Sequence, residues 1–70
     1  MNQRGILKKI KAAAKAAGVR YDVKEGGNHT IVHLNGHQAT VVSRAPSLPD
    51  QYAQLVYKQC ESDLGKGWWR

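Results

Sequence analysis

Asn35-Gly36 lies between two β-prone runs, Thr30 to Leu34 and His37 to Val42. Asn-Gly supplies the positive backbone angles that a tight reversal between right-twisted strands demands, so it commits this stretch to a hairpin. A chain of 70 residues has room for one small core, burying about 60% of the surface its unfolded form exposes. The remaining elements must therefore pack against that hairpin. The three histidines of the chain, His29, His33 and His37, all fall within it. Histidine is the side chain that titrates near neutrality, so the hairpin concentrates the capacity for proton transfer.

Two registers are open to it. With Asn35-Gly36 as a two-residue turn, Leu34 faces His37, and Thr30, Val32, Leu34, Ala39 and Val41 share the core side. His29, His33, Gln38 and Thr40 then lie on the open face. With a three-residue turn, Leu34-Asn35-Gly36, His33 faces His37, and Ile31, Ala39 and Val41 turn inward. A one-residue slip reverses the facing of every side chain on a strand.

Before the hairpin, Ile6, Leu7, Ile10, Ala13, Ala14 and Ala17 recur at helical spacing and predict a helix over about Gly5 to Ala17, closed by Gly18. Lys8, Lys11 and Lys15 fall on its outer stripe, with Arg4 one turn earlier. Val19 to Glu25 alternates as a half-buried strand, and Gly26-Gly27 turns the chain into the hairpin. After it, a loop with two prolines leads to a second helix over about Pro49 to Asp63, with Ser47 as its cap. Tyr52, Leu55, Val56, Cys60 and Leu64 form the apolar face of this helix. The order helix-strand-strand-strand-helix predicts an α+β fold: a three-stranded antiparallel sheet with two helices on one face. Residues 1–65 make a single domain and 66–70 a C-terminal tail. In that tail one of Trp68 and Trp69 folds over the thin core, or the pair forms a platform for bases or an anchor for a protein.

The net charge of +6 points to a polyanionic partner, and the cations concentrate before residue 28. One cysteine, Cys60, excludes an internal disulfide framework and a multi-cysteine zinc site. No paired carboxylates and no metal-ligand spacing are present, so neither a metal nor a cofactor is expected. There is no apolar run of membrane-spanning length, and lysines interrupt the N-terminal apolar positions. No membrane association and a cytoplasmic location are the expectation.

Gly26-Gly27-x-His29, then Asn35-Gly36, then Leu48-Pro49 opening the last helix, in this element order, resemble the HicA-type toxins. The resemblance runs from about Ile6 to Leu64. It implies a fold like that of double-stranded-RNA-binding domains, RNA as partner, an antitoxin protein as a further partner, and metal-independent mRNA cleavage. The family often has Pro-Asp-Gly where this chain has Leu34-Asn35-Gly36, which favours the three-residue turn. The family's catalytic histidine follows the glycine pair directly, where this chain places Asn28; many members carry a second histidine next, and it is kept as His29. The resemblance therefore makes His29 the candidate general base, with Lys24 and the Gly26 and Gly27 amides near the phosphate. Arg4, Lys8, Lys11, Lys15 and Asn28 complete the expected RNA-contacting set. The alternative is a nucleic-acid-binding or protein-interaction module without the toxin's activity.

Overall fold

The computed structural model describes residues 2–70. Asn2 opens the first helix: its side chain accepts the Gly5 N–H at 2.8 Å, satisfying one of the amides that a helix start leaves unpaired. Helix α1 (Gln3–Ala17) therefore starts one half-turn earlier than its apolar periodicity predicts. Gly18, with φ 71°, ends it in the left-handed conformation, and the Val19 N–H returns to the Ala14 carbonyl at 2.8 Å. The buried stripe of α1 is Ile6, Ile10 and Ala14, each fully inaccessible. Burying one isoleucine contributes about 1.5–3 kcal/mol, so two of them anchor the helix to the sheet.

Strands β1 (Tyr21–Gly26), β2 (His29–Leu34) and β3 (His37–Ser43) form an antiparallel sheet in the order β1-β2-β3. Helices α2 (Asp50–Gln59) and α3 (Glu61–Leu64) follow, and one hydrophobic core joins α1 and α2 to the same face of the sheet. The α+β architecture with a three-stranded antiparallel sheet is the one the element order predicts.

The hairpin follows the two-residue reading at its turn and along β2, where Thr30, Val32 and Leu34 face the core, and departs from both readings only along β3. Asn35 (φ 53°) and Gly36 (φ 86°) make a two-residue turn in which Leu34 pairs with His37, not the three-residue turn that the resemblance favours. His33 consequently pairs with Gln38, not His37. Beyond that point the ladder shifts: Val32 pairs with Thr40, leaving Ala39 as the extra residue of a β-bulge. The bulge reverses the facing of β3, so Thr40 and Val42 enter the core in place of Ala39 and Val41. Thr40 is tolerated there because its hydroxyl donates to Gln59 Oε1 at 2.6 Å. Thr30 is likewise paired, accepting from the Gln3 amide at 2.8 Å; the same amide reaches the Val42 carbonyl at 3.2 Å and ties the start of α1 across β2 and β3.

The C-terminal half departs from expectation at three points. Pro49 itself stands at the N-cap of α2, in extended conformation, and Ser47 does not cap it. Cys60 (φ −91°, ψ 0°) breaks the expected single helix into α2 and α3, its N–H tightening onto the Tyr57 carbonyl at 3.0 Å as its side chain is drawn into the core. Leu55 is 60% exposed, and Ala53 and Tyr57 join Val56 and Cys60 on the buried face instead. Both tryptophans pack, rather than one: Gly65 and Gly67 adopt positive φ and fold the chain back, so that Trp68 and Trp69 flank the Tyr57 ring at 5.2 and 6.1 Å. Trp68 Nε1 donates to the Tyr57 carbonyl at 2.8 Å. Among the described residues no helix is long and apolar enough to cross a membrane.

Candidate nucleic-acid interface

Because Ile6, Ile10 and Ala14 face the core, the opposite side of α1 carries Arg4, Lys8, Lys11 and Lys15, all exposed. Among the described residues the ion pairs are Arg20 with Asp22, His37 with Asp63 and Arg44 with Glu25, so none of these four cations is neutralised. Between α1 and β1 runs a groove of about 470 Å³, with Arg4, Lys8 and Lys11 on its rim and Leu7, Tyr21 and Val23 along its floor. Burial, and secondarily the charge of Glu25, push the Tyr21 phenol above its ordinary range. It stays protonated near neutrality and is a hydrogen-bond donor. Lys15 continues the stripe beyond the groove, at the C-terminal turn of α1, where the helix dipole favours a cation.

The other candidate residues lie around the first hairpin turn. Gly26 pairs with His29, and Gly27 (φ 38°) with Asn28 forms the reversal. Its backbone is held from the residue that follows β3: the Arg44 guanidinium donates to the Gly27 carbonyl at 2.8 Å and pairs with Glu25, and the Arg44 N–H donates to the Asn28 carbonyl at 3.1 Å. A concavity of about 440 Å³ lies against Gly27, Asn28, Ser43 and Arg44. Arg44 is the residue that sequence reasoning missed. Its partner Glu25 is 19 positions away, and only the pairing of β1, β2 and β3 brings the two together.

His29 is exposed on the open face, between Gly26 on one neighbouring strand and Ser43 on the other. Its imidazole has no hydrogen-bond partner among the described residues. Lys24, opposite Ile31, shares that face and stands on the diagonal from His29. His33 is half-buried on the same face between Asp22 and Gln38. The helices cover the opposite face, so the predicted residues do not form one constellation. Lys24 and His29 look out from one side of the sheet; Arg4, Lys8 and Lys11 line the groove on the other.

His37 is separated from the other two histidines. It emerges on the helix side, where its Nε2–H donates to Asp63 Oδ1 at 2.8 Å and its Nδ1 lies 3.4 Å from the Gln38 carbonyl. The Asp63 carboxylate is only 10% exposed, and its Oδ2 has no hydrogen-bond partner among the described residues. The hydrogen bond to Asp63, then its negative charge, raise the His37 pKa above the usual 6.5; the Gln38 carbonyl adds to this and desolvation opposes it. Below it, burial and the Asp63 charge push the Cys60 thiol up to about 11, which keeps it protonated and unreactive. Among the described residues no three His, Cys, Asp or Glu side chains converge as metal ligands would.

Comparison with protein-family models, with curated proteins and with solved structures returns no match to this chain.

Proposed function

We propose that this chain is an RNA-binding protein of the HicA-toxin type that seats RNA phosphates along the groove between α1 and β1. The observation that carries this reading is the set Arg4, Lys8, Lys11 and Lys15, which has no ion-pair partner among the described residues, three of them rimming a groove floored by Leu7, Tyr21 and Val23. Clustered cations without acidic partners hold phosphates by releasing counterions, and a tyrosine beside them offers a ring to a base and a hydroxyl to a ribose or phosphate oxygen. The test is RNA binding at rising salt. Each of Lys8→Ala and Lys11→Ala lowers the slope of log affinity against log salt by about one. RNA affinity that is absent at low salt, or untouched by both substitutions, overturns the proposal.

A second reading is catalytic, and the exposed His29 beside Gly26 and Lys24 favours it. The neutral imidazole takes the proton of a ribose 2′-OH, whose oxygen attacks the adjacent phosphorus; the bond to the 5′ oxygen breaks, and that oxygen is protonated by an acid. Lys24 and the Gly26-Gly27 backbone stabilise the charge on phosphorus. mRNA incubated with the protein in chelator then yields fragments that disappear with His29→Ala. Intact RNA, or cleavage that survives His29→Ala, rejects His29 as the base. Growth arrest on induction in a bacterial host, relieved by the product of an adjacent reading frame, tests for toxin activity and an antitoxin partner.

A further inference from the structure

The sheet has two edges, and they differ in how they are closed. β3 is bulged at Ala39, and the Tyr52 hydroxyl sits against its end, accepting the Ser43 N–H at 2.8 Å with the Val41 carbonyl 3.5 Å away. A bulge is one device by which proteins keep an edge from taking on another strand, charged side chains along the edge are another, and here the Tyr52 hydroxyl also occupies an outward backbone N–H. β1 has neither bulge nor cap. It pairs with β2 without a shift over all six residues, Tyr21–Gly26, and among the described residues no side chain hydrogen-bonds its backbone. Every second N–H and C=O of a regular edge strand points outward, ready for a further ladder.

The side chains beside this edge define what fits it. Residues of an added strand alternate between the two faces. On the helix side they meet the groove, with Val23 42% exposed and Arg4, Lys8 and Lys11 above it. On the other side they meet Lys24; the nearest acid there, Asp22, is already paired with Arg20 at 3.8 Å. We infer that the β1 edge is a strand-addition site for an extended, acidic peptide segment of a partner protein, with apolar or acidic residues toward the groove and acidic ones toward Lys24. A second copy of this chain fits less well: a β1–β1 ladder can set Asp22 against Lys24, but it brings the Arg4, Lys8 and Lys11 rims of both copies to the same side of the seam with no acids between them. The site shares the α1 groove with the proposed RNA site, so peptide and RNA exclude one another. The backbone ladder itself does not depend on the RNA reading.

The probe is a synthetic peptide of alternating valine and glutamate, followed by the amide resonances and hydrogen exchange of the full chain. The expected result is protection of the outward amides of β1. Binding is lost when alternate peptide amides are N-methylated, and when lysine replaces glutamate in the peptide. Lys24→Glu, at the exposed position that the glutamates of the peptide face, weakens binding about fivefold without altering the fold. An N-methylated peptide that binds as well as the parent reduces the effect to charge attraction and overturns strand addition. No binding, or amide changes centred on β3, overturns it too. A poly-uridylate strand that fails to bind defeats the RNA proposal alone, since no peptide measurement involves it.

Discussion

The turn at Gly27-Asn28 and the turn at Asn35-Gly36 sit at opposite ends of β2, and each delivers a histidine. Both are anchored through the backbone, the first by Arg44 and the second by reciprocal bonds between Asn35 and Arg20 at 2.9 and 3.1 Å. They differ in the fate of the side chain that follows. His29 emerges on the uncovered face with no hydrogen-bond partner among the described residues, whereas His37 emerges beside α3 and meets the largely buried carboxylate of Asp63. A carboxylate behind an imidazole is usually taken as a sign of catalysis; here it joins a hairpin tip to a short helix. The isolated histidine is the one left exposed on the open face.

The comparison breaks most severely at Leu34, which closes the second turn and is fully buried. Leu34→Ala leaves a cavity and costs about 2–5 kcal/mol in a domain whose core is small, measured by denaturant unfolding. Next in size is Gly36→Ala at the same turn. The built Cβ comes within 2.8 Å of the Arg20 guanidinium, which can swing aside, but φ 86° remains, and the strain costs about 1–2 kcal/mol.

A smaller effect sharpens the contrast between the histidines. The folded-state pKa of His37 lies above the unfolded 6.5. Its contribution to stability is therefore fully present below the unfolded value and is lost as pH rises through the folded one. Unfolding across the neutral range shows this loss in the natural chain and not in His37→Gln. In a proton-resonance titration the His37 midpoint moves back toward 6.5 in Asp63→Asn. The smallest effect is at the first turn: His29→Ala changes stability by less than about 0.5 kcal/mol, because the ring is exposed and makes no hydrogen bond or ion pair among the described residues. A larger loss would show that His29 is structural and would undo the distinction.

The element order was legible in the sequence because its signals are local. Gly18 at the end of an apolar stripe, Gly26-Gly27 and Asn35-Gly36 each act on the backbone angles of their own residues, and no distant contact competes with them. The outward stripe of Arg4, Lys8, Lys11 and Lys15 was legible for the same reason, since helical spacing settles both faces at once. The break at Cys60 and the exposure of Leu55 were not legible. Apolar spacing alone does not say how far a helix continues before its end is drawn into the core.

For the candidate site, the sequence determined which residues have the chemistry, and the sheet decided which of them stand together. His29, Lys24 and the α1 cations are all basic or titratable in the sequence, yet the pleat sends the first two to one face while the groove cations gather on the other. The bulge at Ala39 is the clearest case. It arises from cross-strand pairing over β2 and β3, turns Thr40 and Val42 inward and cannot be read from either strand alone. Likewise the pairs His37 with Asp63 and Arg44 with Glu25 span 26 and 19 positions. Backbone preferences reach only a few residues along the chain, so pairings at such separations are fixed by tertiary packing alone.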